Sequence, residues 1–476
     1  MRRTFLYILI FSCLTAAAQI TSYDRLTLGE QDLMGTSRYV GMAGAMAAVG
    51  GDASAAGDNP AGLGLYRRSE LMITLDYQLN RPSLGTHTST FSCGQASWNF
   101  CFLQDRMKGV IGNNIMLNYR RIKNFYRETG MKYSDMNFSQ TDVMAMKTDG
   151  LKEKDLEGSD AWYDSEIGWL SIMGYQGYLI DPDTTAEAMW LPANTGMVNG
   201  ALTTRESGSI DEFSLGWGMN ISNQWYLGLE MGVRSLTYAK STYYDEQFAN
   251  RNRYYLDSYV TASGVGFVSK VGIICRPTSF LRLGAAFHAP VPMAFSLHNY
   301  AEMKSETTSG VVKLASLENN NSPSSFVQPM RGVFGLAFQL GTKGLLSMEY
   351  DYQHDLSKDV LDTHWTKVGL EGVIANNWFI NLGYALRFRQ PSNGKWSDPI
   401  CEISYNSVRL DTEFYNLQYA HYISGGLSFR HKYFIVGAAY QCRLMKENVH
   451  FHELQTEPIA LANTSHKIVV SLSWRH

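Results

Sequence analysis

No uninterrupted apolar run beyond residue 20 approaches the ~18–20 residues that a membrane-spanning helix needs, which excludes a helical membrane protein. It does not exclude one whose apolar residues sit at alternate positions of strands. No basic surplus exists either. The 41 Lys+Arg against 44 Asp+Glu leave a formal charge of −3, so a nucleic-acid partner is not expected. Charge is scarce at 18%, against ~25% in ordinary domains, and aromatics reach 13%, which excludes wholesale disorder. Cys93, Cys101, Cys275, Cys401 and Cys442 show no CxxC spacing, so zinc and redox motifs are unsupported and small buried hydrophobes are expected. Gly-x-Ser-x-Gly, HExxH and Walker-type runs are missing. The expectation is therefore no enzyme, no catalytic residue, no cofactor and no metal.

What is present begins with a secretory signal. Arg2 and Arg3 precede a short apolar stretch that ends in Ala16, Ala17 and Ala18, and cleavage is expected near Ala18. From residue 70 the pattern has period two. Trp225, Leu227, Leu229, Met231 and Val233 point one way, and Tyr226, Gly228, Glu230, Gly232 and Arg234 the other. Large apolar groups fill one face without charge, while Asp76, Arg120, Lys270, Glu349, Asp351, Lys367 and Arg387 fall on the opposite face. Connections alternate short and long, as in outer-membrane barrels with short periplasmic turns and long extracellular loops. The expected strands are 70–79, 93–103, 110–120, 209–220, 224–238, 258–275, 280–288, 331–340, 345–353, 366–374, 378–389, 420–430, 432–442 and 466–474. Fourteen is even, which places both barrel ends on the periplasmic side. The fold class is thus all-β, a transmembrane antiparallel barrel of about 14 strands over 70–476, with 121–207 its largest loop.

Residues 19–69 do not alternate. Between 41 and 64, fifteen of twenty-four positions are Gly or Ala, ending in Asn59-Pro60-Ala61-Gly62. Small residues allow close backbone packing, and a barrel wider than eight strands needs something inside it. The segment 19–69 is expected to be a plug, or hatch, in the lumen.

The run GTSRYVGMAGAMAAVGGDASAAGDNPAGLGLY at 35–66, preceded by a signal and followed by fourteen strands, resembles the FadL/TodX family of outer-membrane transporters for hydrophobic compounds, in its Bacteroidetes-type form. The resemblance implies a hatch carrying Asn59, Pro60, Ala61 and Gly62, extracellular ligand capture, an interior site, and lateral exit through a gap made by a kinked third strand. It implies passive uptake of hydrophobic molecules such as long-chain fatty acids, with outer-membrane lipid around a monomer. Within the expected third strand, Gly112, Asn113 and Asn114 are poor strand formers and mark the candidate kink. Trp162, Ile167, Trp169, Leu170 and Met173 form an apolar cluster in loop 121–207, serving as a cap over the mouth or as a docking surface. Arg234, Arg387 and Arg389 either receive a ligand carboxylate or pair with lumenal acids such as Glu230, Glu349 and Asp351. The alternative function is a surface receptor barrel whose long loops bind haem or a macromolecule, with His450 and His452 as possible ligands.

Overall fold

Alternating burial governs the wall. Along Glu70–Pro82, Leu71, Ile73, Leu75 and Tyr77 are exposed while Met72, Thr74, Asp76 and Gln78 are buried. The computed structural model describes residues 21–104, 108–186, 188–356, 361–390, 406–455 and 457–476. The signal segment 1–18 and Cys401 lie outside them.

The strands are β1 (Glu70–Pro82), β2 (Thr88–Leu103), β3 (Val110–Asn124), β4 (Arg127–Met136), β5 (Ile180–Pro182), β6 (Trp190–Pro192), β7 (Val198–Ile221), β8 (Trp225–Phe248), β9 (Arg253–Cys275) and β10 (Leu281–His288). They continue as β11 (Val291–Thr307), β12 (Gly310–Ala315), β13 (Asn319–Gln328), β14 (Met330–Leu340), β15 (Gly344–His354), β16 (Asp362–Ala375), β17 (Trp378–Gln390), β18 (Phe414–Arg430), β19 (Phe434–His450) and β20 (Ile459–Arg475). β10 and β11 both pair with β9 and make one wall strand; β13 and β14 pair with β11 and β10 and make the next. With β1–β3, β7–β9 and β15–β20 the wall has fourteen antiparallel strands. It closes where β20 pairs with β1 from Arg475↔Glu70 to Asn463↔Pro82. No described helix is long and apolar enough to cross a membrane.

Across the middle of the wall charged groups turn inward, whereas Arg81 and Lys446 toward one rim are exposed on the outer face. Asp76, Arg120, Glu230, Arg234, Lys270, Glu349, Asp351, Lys367 and Arg387 are all buried, and the outward positions between them are apolar. β7 and β8 run 24 residues each, about 80 Å at the usual rise, far beyond the ~9–11 residues that cross a bilayer. Their excess length projects from the barrel and carries a cap.

Residues 21–66 pack mostly buried against the inward face of the wall, and Arg67 and Arg68 are exposed. Short helices Ser37–Gly41 and Ala53–Asp58 and the turn Pro60–Leu65 are almost wholly buried. The wall is cut to receive them. A Cβ placed on Gly218, Gly228, Gly272, Gly284, Gly335 or Gly383 would come within 3.0 Å of hatch atoms. Gly218, Gly228 and Gly272 are direct cross-strand neighbours, as are Gly284 and Gly335. Hatch backbone thus lies against wall backbone with no side chain between.

Candidate functional site

The hatch is held by its motif and by ion pairs. Asn59 donates from Nδ2 to the carbonyls of Ala47 (2.7 Å) and Ile273 (3.2 Å), while its Oδ1 accepts from the Ala61 N–H and caps the turn that Pro60 opens. Asn59 is therefore a strut between two hatch segments and β9. Asp58 beside it accepts from Arg120 of β3 (3.2 Å) and Arg331 of β14 (3.0 Å), and from the Tyr39 hydroxyl. Its carbonyl oxygen lies 2.7 Å from His288 Nε2. Glu349 accepts from the Met46 and Ala47 N–H groups. Sequence reasoning found Asn59, Pro60, Ala61 and Gly62 but missed Asp58, whose partners lie on distant strands.

Above the hatch a second polar cluster lines a small cavity. Arg387 and Arg389 of β17 reach Glu30 at 2.8 and 3.1 Å, and Lys123 of β3 reaches the same carboxylate at 2.6 Å. Arg443 pairs with Asp32 at 2.9 Å, and Arg127 with Glu206 and Glu447. The cavity between them, about 70 Å³, is also lined by Phe125, Tyr415, Leu417 and Met445. That is room for a few waters, not for a lipid. Nε of Arg387, Arg389 and Arg443 and both side-chain polar atoms of Asn463 are buried there without hydrogen-bond partners. The segment carrying Glu30 also places Leu28 in an apolar cluster with Ile122, Phe125, Leu236, Phe295 and Phe326. A carboxylate followed by an aliphatic group is thus already seated among lumenal cations and apolar side chains.

Arg234 does not join this cluster. It bonds Glu212 (2.6 Å) and Gln328 (2.5 Å), beside Lys270, which bridges Glu212 and Glu230. Of the three arginines singled out from sequence, the structure unites Arg387 and Arg389 and separates Arg234. Lys123, Arg443 and Glu30 were missed because strand closure alone brings them together.

The third strand is irregular, but not where weak strand formers suggested. Gly112, Asn113 and Asn114 are paired on both edges, with Leu103, Phe102 and Cys101 on one side and Asn220, Met219 and Gly218 on the other. A register shift does fall between Val110 and Gly112, at the short-turn end of the strand, but it opens no gap along those three residues. The ladder breaks higher up. β2 and β3 pair only as far as Gln95↔Arg120; beyond that, Thr88 to Cys93 pair with β1 alone and Arg121, Lys123 and Asn124 with β7 alone. Each strand bulges as they part, β2 at Gly94 and β3 at Ile122, and bulges end pairing by turning a strand away. The Ile122 carbonyl accepts the N–H of Asp32 from the hatch segment at 3.1 Å. No strand ladder spans the break: Asn124 Nδ2 donates to Thr90 Oγ1 at 3.0 Å and Asn80 Nδ2 to the Tyr126 carbonyl at 2.7 Å, while above them the β1–β2 turn meets β4 again, the Gly130 N–H donating to the Leu84 carbonyl at 3.3 Å. Gln78, Asn80, Lys123, Asn124 and Tyr126 at this break also line the cation-rich cavity.

The outer mouth is covered. Trp162, Ile167, Trp169, Leu170 and Met173 are at most 9% exposed and pack with Leu202, Tyr244, Tyr254 and Phe414. At ~1.5–3 kcal/mol for each fully buried large side chain, this is the core of the cap and not a surface on which a solute docks. Tyr126, Tyr163, Tyr178, Met189, Leu191 and Met197 are the large apolar and aromatic groups exposed in the described part of the loop instead. His450 and His452 are buried as well, His450 stacked flat on Phe414 at 4.7 Å, so neither is offered to haem. Among the described residues no group of three His, Cys, Asp or Glu is placed to hold a metal.

Burial, with repulsion from His450 second, holds His452 down at about 4. A histidine that titrates lower folded than unfolded (~6.5) contributes fully above ~6.5 and loses that contribution as pH falls toward 4. The difference is worth about 3 kcal/mol. Amide protection factors in the cap, corrected for the pH dependence of intrinsic exchange, should therefore fall between pH 6.5 and 4, and His452→Gln should flatten that response.

No protein-family model matches the sequence, and no curated protein matches it. Solved structures do match in shape. The toluene transporter TbuX of Ralstonia pickettii aligns with a TM-score of 0.52 at 13% identity, over 93% of this chain and 98% of that one. A Pseudomonas aeruginosa FadL homologue gives 0.50 at 11% identity, over 94% and 99%. CymD, a monoaromatic hydrocarbon channel, gives the same values. At such identities the likeness establishes a shared fold, the fourteen-stranded barrel of FadL/TodX-type channels.

Proposed function

We propose that this chain, with its FadL/TodX-type barrel, is an outer-membrane channel for passive uptake of hydrophobic small molecules, long-chain fatty acids among them. Supporting this reading is the break between β2 and β3 beside an internal cavity lined with Lys123, Arg387, Arg389 and Arg443. A hydrophobic solute that has passed the polar outer surface needs no aqueous exit; a gap in the wall delivers it sideways into hydrocarbon. Glu30 and Leu28 occupy the place where a ligand carboxylate and its chain would bind, so entry of ligand displaces the segment carrying them. Arg387 and Arg389 are then the head-group contacts, and Asn59, Pro60, Ala61 and Gly62 keep the hatch in place below. The fold's neighbours carry toluene and other monoaromatic hydrocarbons by their descriptions, while the cations here favour an amphiphile with a carboxylate. The protein acts as a monomer in this scheme, and the segment 1–18 directs export.

Closing the break tests the route. In a Cys93→Ser background, Thr90→Cys with Asn124→Cys replaces the side-chain hydrogen bond across the break by a disulfide. Uptake of labelled long-chain fatty acid by cells should fall at least tenfold under oxidising conditions and return with reductant. Undiminished uptake in the cross-linked protein would sink the lateral route.

A further inference from the structure

The outer face of β18, β19, β20 and β1 carries a feature that the transport reading leaves unused. Cross-strand register arranges its outward residues in rows. Ile423, Cys442, His466 and Leu79 form one row, and His421, Leu444, Thr464 and Arg81 the next toward the outside. Tyr419, Lys446 and Ala462 follow, with the Ser83 N–H bonded to the Ala462 carbonyl. Below them the rows are apolar down to Phe434 and Trp474. Rows lie two residues apart, about 6.7 Å along the strand.

The upper rows hold two cations, Lys446 and Arg81, and two imidazoles, His421 and His466, with no outward carboxylate among them. Neither Lys446 nor Arg81 forms an ion pair among the described residues, in contrast to the lumenal cations Arg234, Lys270, Arg331 and Lys367. His466 Nδ1 lies 2.7 Å from the Tyr440 hydroxyl, and His421 Nδ1 2.8 Å from that of Tyr384. A hydroxyl donating to Nδ1 leaves Nε2–H as a donor directed away from the pair, and a donor facing hydrocarbon is costly unless a lipid head group accepts it. His421 pairs with Leu386, eight residues above Trp378 on β17. At ~3.3 Å per residue and ~40° tilt this is about 20 Å, the height at which the apolar band of such barrels gives way to head groups.

Beside these groups is a groove of about 280 Å³ on the outside of the wall. It is lined by Tyr419, Leu444, Ala460, Ala462 and Thr464, with Lys446 and Ser83 also contributing. Ala460 and Ala462 create it by leaving the surface of β20 low, and its lining is mainly apolar.

We propose that this face is a specific binding site for a phosphorylated, multiply acylated lipid of the outer leaflet, with one acyl chain in the groove and the phosphates between Lys446 and Arg81. Apolar rows below, a chain-wide groove, and unpaired cations with imidazole donors at head-group height match that chemistry part by part. The site depends on the barrel being in a membrane and not on which solute passes through it, so fatty-acid uptake and lipid retention can fail separately.

Native mass spectrometry of the full mature protein in neutral detergent, with bisphosphorylated lipid A as probe, tests the site. The protein should retain one lipid A molecule and retain phosphatidylcholine at least tenfold less. The Lys446→Gln/Arg81→Gln double variant should lose at least tenfold in retention while its heat-modifiable gel mobility is unchanged. Ala462→Phe, which fills the groove and leaves every charge in place, should lose retention as well. Equal retention of phosphatidylcholine, or retention by both variants at the level of the parent, would overturn the assignment.

Discussion

Replacing Asp58 with alanine should turn a closed barrel into a leaky one. Asp58 is the carboxylate through which the hatch holds two opposite parts of the wall, Arg120 on β3 and Arg331 on β14. Arg331 retains Asp351 after the change, but Arg120 has no other carboxylate within ion-pair distance among the described residues. Breaking a buried pair from one side typically costs about 3–5 kcal/mol, because the surviving charge is left desolvated. Loss of the Tyr39 and Arg bonds falls on the hatch alone, since the wall strands remain laddered to one another. The expected result in planar bilayers is a conductance at least tenfold above that of the parent, with assembled barrel still seen by heat-modifiable mobility. Parent-level conductance would show that Asp58 is not the clamp.

An opposite intervention, adding matter to the wall, should displace the hatch with comparable force. Gly228→Leu puts a side chain where the Pro60 and Ala61 backbone lies, and its cross-strand neighbours Gly218 and Gly272 are occupied by Leu63, Gly64 and Asn59. Overpacking costs about 1–3 kcal/mol where side chains can yield; here the obstacle is backbone, so the upper end applies. Trypsin should cut the hatch at Arg38 in Gly228→Leu and spare it in the parent. Gly425→Ala is the matched control: it is on the outer face, and its new Cβ would meet nothing nearer than 3.5 Å. It should change nothing.

The fourteen wall strands were legible in the sequence because one face of each meets an apolar surrounding and the other does not. Alternation at Leu71 to Gln78 or at Trp378 to Arg387 records that difference directly. Glycine and alanine between 41 and 64 likewise record the closeness of hatch to wall, since larger side chains do not fit there. The interior cluster left no such trace. Glu30, Lys123, Arg387 and Arg443 are separated by up to several hundred residues, and only closure of the barrel sets them side by side. Gly112, Asn113 and Asn114 misled because low strand propensity matters little to a strand laddered on both sides. The ladder break follows from bulges at Gly94 and Ile122, and an isoleucine among Arg120, Arg121, Lys123 and Asn124 does not by itself show that it leaves the ladder. Trp162 to Met173 read as a possible docking surface because the sequence of a loop does not show that long strand extensions, β7 to β9, rise to cover it.

The glycine-lined wall has a consequence for heredity. Each lumenal glycine opposite Pro60, Ala47 or Met42 is useful only while that hatch contour is unchanged, and each hatch residue is tolerated only while its glycine is. A substitution on either side is therefore acceptable only with its counterpart, although the two lie hundreds of codons apart. Recombination between related genes that splits codon 69 from those beyond it would join mismatched surfaces. Hatch and barrel of this kind are expected to descend as one inseparable unit.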